Sequence, residues 1–204
     1  FYELATEGEI TTTMRDYIVL LLVTGLRRTE AQSLKWEHIN FQKKTIAIPD
    51  NKAQRYFEIP MTRLTHDLFK WRKKNSHDSE YVFSGRGRSK HIVEPKRALK
   101  KISKKAQLTH NLSSHALRRT FATLCKELGI SLDDSGKLLN HANRSVTDSY
   151  VNRSLEYQRD LFDQVVNIIE SKVEIKVDGN KAHGLYNILR AVSYTHLRAH
   201  ETLP

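Results

Sequence analysis

The chain has 204 residues, 39% of them hydrophobic, which suits one sizeable core and argues against an array of small modules. Thirty-four Lys and Arg against 23 Asp and Glu give a formal charge of +11, which favours a polyanionic partner with nucleic acid first in line; a basic protein that binds nothing acidic has the same balance. A single cysteine, Cys125, excludes an internal disulfide and a paired-thiolate zinc site, and the longest apolar run, Ile18 to Val23, is too short to span a bilayer. The lone cysteine suits a reducing compartment, so a cytoplasmic protein is expected, and with no charged, apolar, cleavable leader at the start a soluble one.

In chain order, Thr11 to Thr24 places Met14, Tyr17, Ile18, Leu21 and Leu22 at helical spacing, and Gly25 suits the left-handed turn that ends a helix. A second short helix through Leu34 follows. Thr45 to Ile48 and Tyr56 to Ile59 have strand character and are separated by Pro49, Asp50 and Asn51, which predicts a small antiparallel sheet. Leu64 to Lys74, Val93 to Ala106, His115 to Leu128, Ser131 to Asn140 and Leu155 to Ser171 are amphipathic or capped segments that predict helices. The expected fold class is therefore mainly α with a small antiparallel β-sheet. Gly85 to Lys90 (GRGRSK) reads as a flexible basic loop, fit either to follow a phosphate backbone through Arg86, Arg88 and Lys90 or simply to be solvated.

The two ends read differently from the middle. Phe1 in place of an initiator Met leads us to expect that the chain begins inside a longer protein. Composition changes near Lys172, where the last long helix gives way to an alternating run, Val173 to Val177. Val192 to Thr202 resembles the in-frame translation of a sequencing-library adapter, so 192–204 is set aside as an artefact tail; a genuine basic tail is the alternative.

Four short patterns occur in order. Thr24-Gly25-Leu26-Arg27-Arg28-Thr29-Glu30 is a glycine turn that delivers an arginine at the start of a helix, where a forked cation and backbone donors suit a phosphate. The same residues fit a plain helix boundary with a solvated arginine. Lys52, between the two strand-like runs, could reach a neighbouring groove as a mobile charge and proton donor, although most hairpin lysines are solvated. His115-Ala116-Leu117-Arg118 puts an imidazole and a guanidinium on one helix face, with Ser113 and Ser114 as caps; a basic helix end is the plain alternative. Leu138-Leu139-Asn140-His141 is followed nine positions later by Tyr150.

Taken together, these residues resemble the tyrosine recombinase (phage integrase) family: a TGLR box, a hairpin lysine, an HxLR box, a histidine after a short helix and a tyrosine nine residues on. The resemblance covers about Met14 to Ile169. It implies a catalytic set of Arg27, Lys52, His115, Arg118, His141 and Tyr150, with Tyr150 as nucleophile and Glu30 in support. Arg27 takes that role because it directly follows the Thr-Gly-Leu turn, which leaves Arg28 solvated or in contact with the DNA backbone. Asn140 stands where the family usually has glycine, and asparagine tolerates the left-handed conformation that such a turn needs.

The resemblance implies a catalytic domain over 1–175, a C-terminal extension over 176–191, and an upstream core-binding domain absent from this chain. It further implies a bacterial or phage-encoded protein that cuts and rejoins double-stranded DNA attachment sites as a tetramer, in integration or excision of a mobile element, with accessory DNA-bending or directionality factors as possible partners. Arg119, beside the HxLR arginine, joins Arg86, Arg88 and Lys90 as a DNA-binding candidate. Neither cofactor nor metal is expected, because no carboxylate cluster or His/Cys spacing suits a catalytic cation and Asp133 and Asp134 read as first-turn acids after a cap at Ser131.

The residue types fit the chemistry. A phosphodiester is already anionic, so two arginines would offset the further charge that builds during attack. A tyrosine with a pKa of about 10 must shed its proton as it attacks, with His115 as acceptor, and Lys52 would protonate the departing 5′ oxygen. His141 would add a hydrogen bond. The apolar stripe Leu161, Phe162, Val165, Ile168 and Ile169 fits either the chain's own core or docking on a neighbouring protomer. A topoisomerase of similar chemistry and a catalytically silent DNA-binding protein remain as rivals.

Overall fold

A computed structural model describes residues 10–50, 55–75, 79–105, 108, 111–140 and 154–171. The described elements are helices α1 (Thr12–Thr24) and α2 (Arg28–Gln32), a 3-10 turn (Trp36–His38), and strands β1 (Ile39–Asn40), β2 (Thr45–Asp50) and β3 (Arg55–Pro60). Helices α3 (Arg63–Asn75), α4 (Lys96–Lys105), α5 (Ser114–Glu127), α6 (Leu132–Leu138) and α7 (Leu155–Ser171) complete them. The fold is mainly helical with one three-stranded antiparallel sheet in the order β1-β2-β3.

Helix α1 is the axis of the core. Tyr17, Ile18, Leu20, Leu21, Leu22 and Val23 are all fully buried, the signature of a helix surrounded by other elements rather than laid on a surface. It packs against α5, α7, α2 and α3. Thr11 caps its start by accepting from the Met14 amide at 3.2 Å. Asp16, buried on the same helix, accepts from Nη1 of buried Arg72 at 2.9 Å, and Arg72 Nε donates to the Val82 carbonyl at 3.0 Å, so one ion pair ties α1 to α3 and to the segment beyond it. Cys125 lies in the same core, where burial pushes its thiol up to about 11.

Strands β2 and β3 are longer than their sequence pattern suggested, with pairing from Thr45↔Pro60 out to Asp50↔Arg55. Strand β1, two residues long, carried no alternating pattern to read; it exists because Ile39 and Asn40 pair with Ile46 and Thr45. Helix α4 starts at Lys96 rather than Val93, because Pro95 biases Glu94 away from helical geometry and leaves Val93 exposed. The Gly85 to Lys90 segment is a closed turn: the Gly85 amide donates to Lys90 O, the Lys90 amide donates to Gly87 O, both at 2.9 Å, and Ser84 bridges His91. Its Arg86, Arg88 and Lys90 are exposed.

Helix α7 settles its apolar face inside the molecule. Leu161, Phe162, Val165, Val166 and Ile169 are buried, Phe162 meets Phe121 with ring centroids 5.6 Å apart, and the helix packs on β3, α1 and α5. Docking of that stripe on a neighbouring protomer is thereby replaced by packing in the chain's own core. The alternating run 173–177 and the segments 176–191 and 192–204 lie outside the described residues.

Gly25 closes α1 in the left-handed conformation, with φ 63° and its amide donating to Leu21 O. A Cβ there would sit 2.6 Å from Leu139 Cδ2 and 2.9 Å from Phe121 Cδ1. Gly25→Ala therefore combines a left-handed alanine with overpacking, and is expected to lower the unfolding free energy by about 2–3 kcal/mol in chemical denaturation. An unchanged midpoint would mean that the turn tolerates a side chain.

Candidate functional site

The turn at Gly25 fixes where the next residues point. Arg27 is the N-cap residue of α2, and its amide donates to Glu30 Oε2 at 2.7 Å while its Nη1 donates to Glu30 Oε1 at 2.8 Å. Glu30 thus holds both the main chain and the side chain of Arg27, which reduces the rotamer freedom of a side chain still 41% exposed. Nη2 of Arg27 reaches across 113 positions to donate to the Asn140 carbonyl at 3.0 Å.

Arg118 comes from α5, started by Ser113, whose hydroxyl accepts from the Ala116 amide at 3.0 Å. It is buried to 9% exposure, and its Nη1 and Nη2 donate to the Gly25 and Leu139 carbonyls, both at 2.6 Å. Burial first, then the charge of Arg27, lowers its pKa from the ordinary guanidinium value, and a guanidinium remains cationic across the accessible pH range.

The two arginines therefore grip two successive carbonyls, Leu139 and Asn140, at the end of α6. Asn140 adopts φ 50°, the left-handed conformation expected of the residue that stands in for glycine there. These carbonyls lie where a helix leaves acceptors unsatisfied. Each arginine commits two of its five N–H donors in this way, and among the described residues the remaining donors have no such fixed partner.

A cavity of about 800 Å³ opens here, lined by Arg27 from the turn after α1 and by His115 and Arg118 from α5. Lys52, His141 and Tyr150 lie outside the described residues. Glu30 stands behind Arg27 rather than among the lining residues; Arg86, Arg88, Lys90 and Arg119 are exposed and do not line the cavity either.

Sequence reasoning missed several lining groups. Arg28, Glu94, Lys96, Lys100 and Asn111 also face the cavity. The spacing of Lys96 and Lys100, four apart on α4 beside buried Leu99, was a legible hint of a shared face. Nothing local pointed to Glu94, whose Oε2 accepts from Arg28 Nη1 at 2.9 Å across 66 positions. Arg28, expected to be solvated or to touch a DNA backbone, is held by that carboxylate, and its own carbonyl accepts from the buried Tyr17 hydroxyl at 3.0 Å.

Comparison with known proteins bears on this arrangement. The model of the phage integrase family matches residues 2–156. Tyrosine recombinase XerA of Pyrococcus furiosus is 32% identical over 168 residues, which cover 78% of this chain and 57% of the relative, so the chain spans little more than half of that protein's length. Among solved structures, the integrase of mycobacterium phage Brujita superposes with a TM-score of 0.62 at 16% identity, covering 89% of this chain and 57% of that one. The Tn1549 transposon integrase, solved in complex with transposon right end DNA, superposes at 0.57 with 18% identity, covering 83% and 62%. At these identities the likeness of structure speaks to the fold.

Proposed function

Because this chain belongs to the phage integrase family, we propose that it is the catalytic part of a site-specific tyrosine recombinase that cleaves and rejoins double-stranded DNA through a 3′-phosphotyrosine on Tyr150. The observation that carries the reading is the convergence of Arg27 on one cavity with His115 and Arg118, a pair on one helix more than 80 residues further along the chain.

In the proposed reaction the scissile phosphate lies between the two guanidiniums. The Tyr150 oxygen forms a bond to phosphorus as the bond to the 5′ oxygen breaks; the phenolic proton passes to His115, and Lys52 protonates the leaving 5′ oxygen. Arg27 and Arg118 stabilise the charge on the nonbridging oxygens, His141 adds a further donor, and Glu30 keeps Arg27 in place. A 5′ hydroxyl from another strand then attacks the phosphotyrosyl ester and reverses the transfers, so the bond energy is conserved and the reading requires neither ATP nor a metal.

Residues 1–175 form the proposed catalytic domain, with 176–191 as an extension and 192–204 as an artefact tail. The proposed substrate is an attachment site bound by four protomers, in integration or excision of a mobile element, with accessory bending or directionality factors as further partners. Arg86, Arg88, Lys90 and Arg119 are exposed cations suited to phosphates outside the cavity. A duplex with a nick next to the cleavage position tests the core of this reading, since loss of the short 5′-ended fragment traps the intermediate. A covalent protein–DNA adduct is expected. DNA binding without any adduct would favour the silent binder, and supercoil relaxation without strand exchange would favour the topoisomerase.

A further inference from the structure

We propose that Arg28 is a phosphate-binding residue held in reserve by Glu94, whose carboxylate occupies the place on the guanidinium that a DNA phosphate takes on binding; this rests on the DNA reading above. Five basic side chains line the cavity, Arg27, Arg28, Lys96, Lys100 and Arg118, and Glu94 is the single carboxylate among its described lining residues. An anion that faces this basic wall works against a phosphodiester unless it has a task of its own.

The geometry supplies one. Glu94 Oε2 accepts from Arg28 Nη1 at 2.9 Å, and Glu94 Oε1 accepts from the Lys96 amide at 3.0 Å, so the carboxylate spans from α2 to the start of α4. The two side chains are 45% and 51% exposed, the regime in which an ion pair contributes little and opens readily. When it opens, both partners keep their anchors. The Arg28 main chain stays fixed through its carbonyl, which accepts from Tyr17, and Glu94 stays fixed through the Lys96 amide. Only the guanidinium has to turn. Arg28 sits next to Arg27 at the start of α2, and a guanidinium released from one carboxylate presents to a phosphate oxygen the Nη1 donor that it presents to Glu94. Glu94 thus makes Arg28 available to a ligand that outcompetes a carboxylate, and withholds it from weaker anions.

A double-substitution cycle on the full 204-residue chain tests this, with a duplex of about 30 base pairs at low salt as probe. Glu94→Gln keeps an oxygen for the Lys96 amide and removes the charge; it is expected to tighten binding by about 3- to 5-fold, the order of one exposed ion pair. Arg28→Gln is expected to weaken binding and to flatten the dependence of log K on log salt by about 0.9, the loss of one phosphate contact. In the Arg28→Gln background the gain from Glu94→Gln should fall below about twofold. Equal gains in both backgrounds would mean that Glu94 acts only as a diffuse repulsive charge, and weaker binding by Glu94→Gln would make it a positioning residue for α4; either result overturns the proposal, as does an unchanged salt slope for Arg28→Gln. Thermal unfolding midpoints within error of the parent keep a folding defect from imitating any of these. Failure of the parent chain itself to bind duplex DNA would sink the DNA reading and the latch together, whereas normal parental binding with an inert Glu94→Gln sinks the latch alone.

Discussion

Tyr150→Phe is expected to leave duplex binding within about twofold of the parent and to reduce adduct on the nicked substrate by more than about 10⁴-fold, the scale on which an enzyme loses activity with its nucleophile. The substitution deletes one oxygen and retains the ring, so whatever the ring contacts is preserved while the attacking atom is gone. Another phenol could rescue the reaction only if it reached the cavity with a proton it could release. The nearest candidate by sequence to the arginine box, Tyr17, fails on both counts: it is fully buried, its hydroxyl is committed to the Arg28 carbonyl, and burial raises its pKa well above the ordinary phenol value. Adduct yield on a denaturing gel, read beside a binding isotherm, checks the prediction. Adduct persisting in the variant, or mapping by mass spectrometry to a peptide other than that of Tyr150, would overturn the assignment of the nucleophile.

How much of this could be read without coordinates depended on whether a residue's role is set locally. The left-handed glycine at 25, the caps at Ser113 and Ser131, and the stand-in asparagine at 140 all follow from short-range backbone preferences, and each pattern lay within a few residues. The long helices announced themselves by apolar periodicity. What stayed hidden was non-local. The pair Arg28–Glu94, the grip of Arg27 on Asn140 and the two bonds of Arg118 join positions 21 to 113 residues apart, and no spacing rule connects them. The stripe on α7 was legible as apolar but not as to its occupant, because periodicity shows that a face will be covered and is silent on which molecule covers it. The loop at Gly85 read as flexible from composition alone; its closure depends on the bridge between Ser84 and His91, and a Cβ on Gly85 would collide with the His91 carbonyl.

Arg118→Lys separates electrostatics from scaffolding at the centre of the site. The arginine fork satisfies two main-chain carbonyls at once, Gly25 O on one side and Leu139 O on the other, and so joins the turn after α1 to the end of α6. A lysine keeps the charge but carries a single compact ammonium, which can serve one of those carbonyls and leaves the other without its partner. An unpaired buried acceptor costs about 1–3 kcal/mol, so the unfolding free energy should drop by about that much and the domain should remain folded. Catalysis should suffer further, because a point charge displaced toward one carbonyl no longer faces the nonbridging oxygens in a fixed orientation; loss of one preorganised donor lowers turnover by about 10²–10³-fold. Single-turnover cleavage measured well below the unfolding midpoint isolates this second effect. Arg27→Lys provides the contrast, since Arg27 is 41% exposed and braced by Glu30 rather than buried between two carbonyls: its cleavage defect should be comparable, while its stability loss should be smaller. If Arg118→Lys cleaves at the parental rate once corrected for the folded fraction, the guanidinium is a structural clamp and the transition-state charge is met elsewhere.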